Sequence, residues 1–128
     1  DKLFFVHDLN LKKEKIEAVK VKGIRTIGVS TLKNGNLNLD EIFKNLSKLG
    51  LTSVLVEGGG KIATSLLEVE LVDKLILFTA GIILDKNGID GFQPSIPESI
   101  NLNNYKRYDL EKSLTIGNDV AHFWNINN

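Results

Sequence analysis

The sequence predicts an α/β domain with a mixed sheet, mostly parallel, that is flanked by helices and closed by an antiparallel C-terminal hairpin. Three observations predict it. Strand-like and helical stretches alternate through the middle of the chain, an apolar run leads into three glycines and a helix, and the last third carries two strand-like runs around a short turn. The 128 residues correspond to one domain spanning the whole chain.

Composition limits the classes of protein to consider. The hydrophobic fraction of 42% and the charged fraction of 25% are ordinary for a soluble globular domain with a single hydrophobic core. The formal net charge is zero, so no basic excess indicates a nucleic-acid or membrane partner. No apolar run approaches the roughly 20 residues that span a bilayer. Cysteine is absent, which excludes disulfides and thiolate metal sites and fits a cytoplasmic protein.

The first third contains two predicted strands and a turn. The short apolar run Leu3–Val6 ends in a turn-like cluster, and Gly23–Ser30 alternates as a second strand does. The Asn-Gly pair within Lys33–Asn36 predicts a tight turn.

A helix is predicted after this turn. Asn38 and Glu41 have the spacing of a capping box, and Gly50 is a natural helix C-cap. The apolar residues between them recur at helical spacing on one face: Ile42, Phe43, Leu46 and Leu49.

The middle of the chain predicts parallel pairing. The β-branched run Thr52–Glu57 predicts a strand buried on both faces, as in parallel sheets. A helix is predicted over Lys61–Leu71 and a further strand over Leu71–Gly81. The stretch Leu84–Ser99 holds both prolines and predicts a long loop, and the run Tyr105–Asn127 predicts the hairpin.

The three glycines at the end of the predicted strand allow two interpretations. They are a purely structural turn, or they let a phosphate or nucleotide reach the free N–H groups of the following helix, with Lys61 adding a positive charge. Gly58 and Gly60 with Ala63 fit a loose dinucleotide pattern, but the acid expected about 20 residues later is missing. The P-loop pattern does not fit.

Glu57 also allows two interpretations. A carboxylate at the end of a buried strand requires a partner or access from a cleft, because burial alone is costly. It either caps the next helix or pairs with a lysine, or it binds a polar substrate.

Three short motifs follow one another here: Val56–Gly60, Ser65–Leu67 and Leu71–Lys74. With them, the stretch Ser53–Leu84 resembles the reductase domain of the bifunctional riboflavin-biosynthesis deaminase/reductase. The resemblance implies a dihydrofolate-reductase-like fold. It implies an NADPH-dependent enzyme that reduces the ribosyl chain of 5-amino-6-(5-phosphoribosylamino)uracil to a ribityl chain, with the cofactor supplying the hydride.

The resemblance also implies the site residues. Glu57 would bind the substrate, while no catalytic side chain and no metal ligand are implied. The residues expected to bind NADPH form one segment: Gly58, Gly59, Gly60, Lys61, Ile62, Ala63, Thr64 and Ser65. His7 and His122 stand alone in the sequence, and a packing or edge role is expected for His122.

The sequence departs from the family at two places. Ala80-Gly81 replaces the usual Ala-Pro, and Asp73-Lys74 replaces Asp-Glu. No part of the chain matches the family's first reductase strands or its zinc-binding deaminase domain, so we expect a partial reductase domain that lacks both. Apolar strand edges permit a homodimer. The alternatives are a non-catalytic module that retains the reductase fold and another nucleotide-binding α/β module.

Overall fold

The computed structural model describes residues 3–84, 88–89, 91–92 and 107–126. Over these residues the elements are β1 (Phe4–Asp8), α1 (Lys13–Lys20), β2 (Arg25–Val29), α2 (Leu39–Lys48), α3 (Gly60–Glu68), β3 (Lys74–Thr79), β4 (Asp109–Ile116) and β5 (Asp119–Asn125). They fall into two units, Asp1–Leu55 and Val56–Asn128.

The first unit contains a β-α-β arrangement. Strands β1 and β2 pair in parallel, in a register that runs from Phe4 opposite Arg25 to Asp8 opposite Val29, and α1 connects them. Val29 is completely buried, and His7 is 8% exposed. The strands therefore supply the buried centre of this unit, and both strand predictions in this region are confirmed within two residues at each end.

Helix α2 and the turn before it also confirm the sequence prediction. Gly35 has φ +82° in the tight turn, and Gly50 has φ +84° just after the helix. Asn38 is the N-cap, and its side chain accepts a hydrogen bond from the Glu41 N–H at 3.3 Å. The reciprocal half of the capping box is absent, because the Asn38 N–H donates to the Ser30 carbonyl oxygen at 2.9 Å.

The second unit contains α3 and a three-stranded antiparallel sheet in the order β3-β5-β4. The predicted hairpin is confirmed: β4 and β5 are joined at Gly117, whose φ is +63°. Strand β5 is central in this sheet and contains Ala121, which is completely buried. On the flanking strands, Lys74 and Glu111 form an exposed ion pair at 2.6 Å.

The prediction of a buried strand over Thr52–Glu57 is wrong. No described strand pairs with this segment, and its apolar residues Val54, Leu55 and Val56 are 44%, 77% and 42% exposed. A strand requires a hydrogen-bonded partner, and composition does not provide one. Parallel pairing among the described residues is confined to β1 and β2, and the pairs β3-β5 and β5-β4 form a separate antiparallel sheet, so the single, mostly parallel mixed sheet that was predicted is not seen there.

Two further findings complete the fold. Most of the predicted long loop Leu84–Ser99 lies outside the described residues. Where the structure describes the chain, none of the helices has the length and hydrophobicity to cross a membrane.

Candidate functional site: the glycine turn and the start of α3

The glycine turn, defined as Gly58–Gly60, forms the entry to α3. Gly59 is the N-cap with φ −71° and ψ 174°, and its carbonyl oxygen accepts from the N–H groups of Ile62 at 3.1 Å and Ala63 at 3.3 Å. The N–H groups of Gly60 and Lys61 have no acceptor within the described chain. Two donors at the helix start are therefore left for solvent or a ligand.

The charges at this helix start suit an anion. The first turns of α1 and α2 contain acidic residues, whereas the first turn of α3 contains none. Lys61 is exposed and makes no ion pair with a carboxylate in the part of the chain that is described. The positive end of the helix dipole and the lysine therefore act in the same direction.

The first two glycines of the turn differ in their surroundings. A Cβ atom built on Gly58 would overlap the Cγ2 atom of Ile62 and lie 3.3 Å from its Cβ. A Cβ atom on Gly59 would meet nothing within 4 Å among the described residues, and the φ of −71° at Gly59 is open to any residue. Packing inside the chain thus requires glycine at 58, but neither packing nor backbone conformation requires it at 59.

The remaining residues predicted to bind the cofactor lie on the first two turns of α3. Ile62, Ala63, Thr64 and Ser65 are half-buried, and Leu66 after them is 4% exposed. The eight predicted cofactor residues thus occupy the glycine turn and the first two turns of α3.

Glu57 directly precedes the turn and lies outside any strand, with an exposed side chain. The expectation that this carboxylate is buried at a strand end is wrong, because the strand that would have buried it is not formed. Its exposure leaves the carboxylate oxygens accessible to a polar ligand.

Sequence reasoning missed a carboxylate at the carboxyl end of β1. The Thr31 hydroxyl donates to Asp8 and holds the pKa of that carboxyl below its ordinary value, and the Asn10 N–H adds to the effect. The position of Asp8 at the end of a parallel strand could have indicated it, since polar groups gather at that edge. These hydrogen bonds join Asp8 to Asn10 and to Thr31, which follows β2, so they give the Asp8 carboxylate a structural role.

A second carboxylate was assigned only to a capping box. Glu41 accepts hydrogen bonds from the Ser30 N–H at 2.8 Å and the Ser30 hydroxyl at 2.7 Å. These two bonds, the N–H first, lower the pKa of Glu41. Glu41 therefore ties the start of α2 to the end of β2, and the spacing of a capping box alone could not show this.

The two histidines lie in separate units. The Nδ1 atom of His7 is 2.7 Å from the Asp8 carbonyl oxygen, and the ring stacks on Phe5 with centroids 5.9 Å apart. On β5, the Nδ1 atom of His122 is 2.9 Å from the Ser113 hydroxyl oxygen on β4. Among the described residues, no group of three or more histidine, cysteine, aspartate or glutamate side chains could hold a metal ion.

Residues 2–122 match the RibD C-terminal domain family. The chain belongs to this family. The riboflavin biosynthesis protein RibD of Aquifex aeolicus is 32% identical over 106 residues, which cover 80% of this chain and 28% of that protein. The family assignment made from the three motifs within Ser53–Leu84 is therefore confirmed.

Solved structures show the same fold. RibD from Acinetobacter baumannii matches with a TM-score of 0.72 and 16% identity, over 97% of this chain and 31% of that one. A pyrimidine reductase-like protein from Corynebacterium diphtheriae matches with a TM-score of 0.74 and 19% identity, over 98% of this chain and 49% of that one. The chain thus spans less than a third of the length of the RibD proteins it matches.

Proposed function

We propose that this chain forms the cofactor-binding part of a riboflavin-biosynthesis reductase. The proposed enzyme uses NADPH to reduce the ribosyl chain of 5-amino-6-(5-phosphoribosylamino)uracil to the ribityl chain, in the cytoplasm. One observation carries the proposal: in a member of the RibD C-terminal domain family, two backbone N–H groups at the start of α3 have no acceptor within the part of the chain that the structure describes.

The residues at the turn fit a phosphate-bearing cofactor. The N–H groups of Gly60 and Lys61 can donate to phosphate oxygens, and the space beside Gly59 admits a ligand close to the backbone. The ammonium group of Lys61 adds a positive charge that would attract a phosphate group. The segment Gly58–Ser65 is therefore the proposed cofactor segment.

NADPH, when bound, supplies the hydride, and the chain's own residues bind and orient the reactants. We assign the substrate contact to Glu57, which precedes the cofactor segment without an intervening residue. An ionised carboxylate accepts hydrogen bonds only, so its partners on the substrate would be hydroxyl or amino groups, which the phosphorylated aminouracil carries.

The activity of the whole enzyme is part of the same proposal. The chain covers 28% of Aquifex RibD, and we propose that a further reductase segment and a deaminase domain complete the enzyme. We also propose a homodimer.

Titration of the intact protein with NADPH tests the proposal. Gly59→Val would place a branched side chain where the ligand approaches, and we expect at least tenfold weaker NADPH binding, equivalent to about 1.4 kcal/mol. Gly91→Val is the matched control, because a Cβ there also meets no described residue within 4 Å.

Glu57→Gln separates the two ligands. It should leave the NADPH dissociation constant within about twofold and raise the KM of the aminouracil or lower kcat. Wild-type protein that does not bind NADPH, or equal binding by Gly59→Val, would contradict the cofactor assignment. NADPH binding without turnover would instead support a non-catalytic module with the reductase fold.

A further inference from the structure

We propose that Ile62 is a positioning residue that locks the glycine turn by packing over the α-carbon of Gly58. Gly58 and Gly59 are then glycines for different reasons. Gly58 makes room for Ile62, and Gly59 makes room for the ligand. This inference rests on the proposed function, because the N–H groups held in place are those assigned to NADPH.

Helix geometry brings Ile62 to this position. Side chains on a helix tilt toward its N-terminus and cover the turn that precedes their own α-carbon. Ile62 is the third residue of α3, so its side chain reaches back over the entry to the helix. A Cβ on Gly58 would overlap Ile62 Cγ2 and lie 3.3 Å and 3.7 Å from its Cβ and Cγ1.

The isoleucine has little freedom to move aside. A β-branched side chain in a helix is largely restricted to one χ1 rotamer, and Cγ2 moves only with χ1. Ile62 also precedes Leu66 by one helical turn, and Leu66 is 4% exposed. Residues four apart share a helix face, so Ile62 lies on the face that is packed.

The consequence is a turn whose conformation depends on the Ile62 side chain. With Ile62 packed on Gly58, the chain enters α3 at Gly59, and the N–H groups of Gly60 and Lys61 have no acceptor among the described residues. A methyl group at 58 must displace either the isoleucine or the turn. A methyl group at 59 displaces none of the described residues.

A thermodynamic cycle on the intact protein tests this lock. The variants are Gly58→Ala, Ile62→Ala and the double variant, and the readouts are the Tm without ligand and the Kd for NADPH. Gly58→Ala alone should lower Tm by about 5–10 °C, as overpacking does, and should weaken NADPH binding on the order of tenfold. In the Ile62→Ala background the overlapping Cγ2 is removed and only the Cβ at 3.3 Å remains, so Gly58→Ala should cause a clearly smaller further change in both quantities.

Two more variants distinguish positioning from ligand contact. Gly59→Ala should keep Tm within about 2 °C of the wild type and still weaken NADPH binding, because its methyl group faces open space. Ile62→Val keeps both Cγ atoms, so in this variant Gly58→Ala should lower Tm about as much as it does in the wild type. Gly58→Ala effects that are equal in the wild-type and Ile62→Ala backgrounds would overturn the lock.

Failure of the proposed function gives a different result. If the wild-type protein does not bind NADPH, the cofactor assignment fails and Ile62 positions nothing for NADPH. The Tm cycle then still decides whether Ile62 locks the turn: coupled Tm values support the contact, and additive values refute it.

Discussion

The network around Asn38 makes a quantitative prediction for the first unit. The side-chain oxygen of Asn38 accepts from the Glu41 N–H at 3.3 Å. The side-chain nitrogen of Asn38 donates to Ser30 Oγ at 3.4 Å and to Glu41 Oε1 at 3.3 Å. Replacement by alanine removes all three bonds but retains the backbone bond from the Asn38 N–H to the Ser30 carbonyl oxygen.

The expected loss is that of the helix cap. Replacing an asparagine N-cap by alanine costs about 1 kcal/mol. The two bonds from the amide nitrogen are long, at the weak end of the distance range, and add little. Asn38→Ala should therefore lower the free energy of unfolding by about 1 kcal/mol, and the urea midpoint by about 0.3–1 M for m values of 1–3 kcal/mol/M.

Urea unfolding followed by far-UV circular dichroism measures this change. Fluorescence of Trp124, the single tryptophan, follows the second unit separately. Asn38→Ser is the matched control, because serine retains a capping oxygen and should remain within about 0.5 kcal/mol of the wild type. The reasoning is refuted if Asn38→Ser is as unstable as Asn38→Ala, or if neither variant changes the midpoint.

Three further predictions follow from the described contacts. Gly50→Ala should lower the free energy of unfolding in urea by about 1 kcal/mol, because φ at this position is +84°. Gly50→Asn should lower it by less, because asparagine tolerates this conformation better. Acid titration should destabilise the fold. The pKa values of Asp8 and Glu41 are lowered below 3.8 and 4.5, so their contribution is complete above those ordinary values and is lost as pH falls through the folded values. A urea midpoint that stays constant from pH 6 to pH 3 would contradict this. Leu66→Ala should cost about 2–4 kcal/mol because Leu66 is 4% exposed, whereas Leu55→Ala at a 77% exposed position should cost under about 0.5 kcal/mol. Equal losses would show that these exposures do not describe the folded protein.

Local sequence patterns predicted the elements that depend on local chemistry. Gly50 and Gly117 both have positive φ at a predicted helix end and hairpin turn, and Asn38 caps the predicted helix. Such features involve residues within about five positions of one another, so the sequence carries most of the information.

Patterns that depend on distant partners were less informative. Helix α1 was not predicted, because it buries no residue and only three of its eight residues are apolar. The strand predicted over Thr52–Glu57 is not formed, because a β-branched run does not identify the strand that would pair with it.

The sequence by itself determined the family and the place of the candidate site: the carboxylate, the glycine turn and the first turns of the helix after it lie within nine consecutive residues, Glu57–Ser65. Only the tertiary structure decided that the first two glycines differ in their surroundings. Ile62 occupies the space beside the α-carbon of Gly58, while no described residue occupies the space beside Gly59. Their identical letters in the sequence conceal this difference, because the space around an α-carbon depends on where the neighbouring side chains are placed in three dimensions.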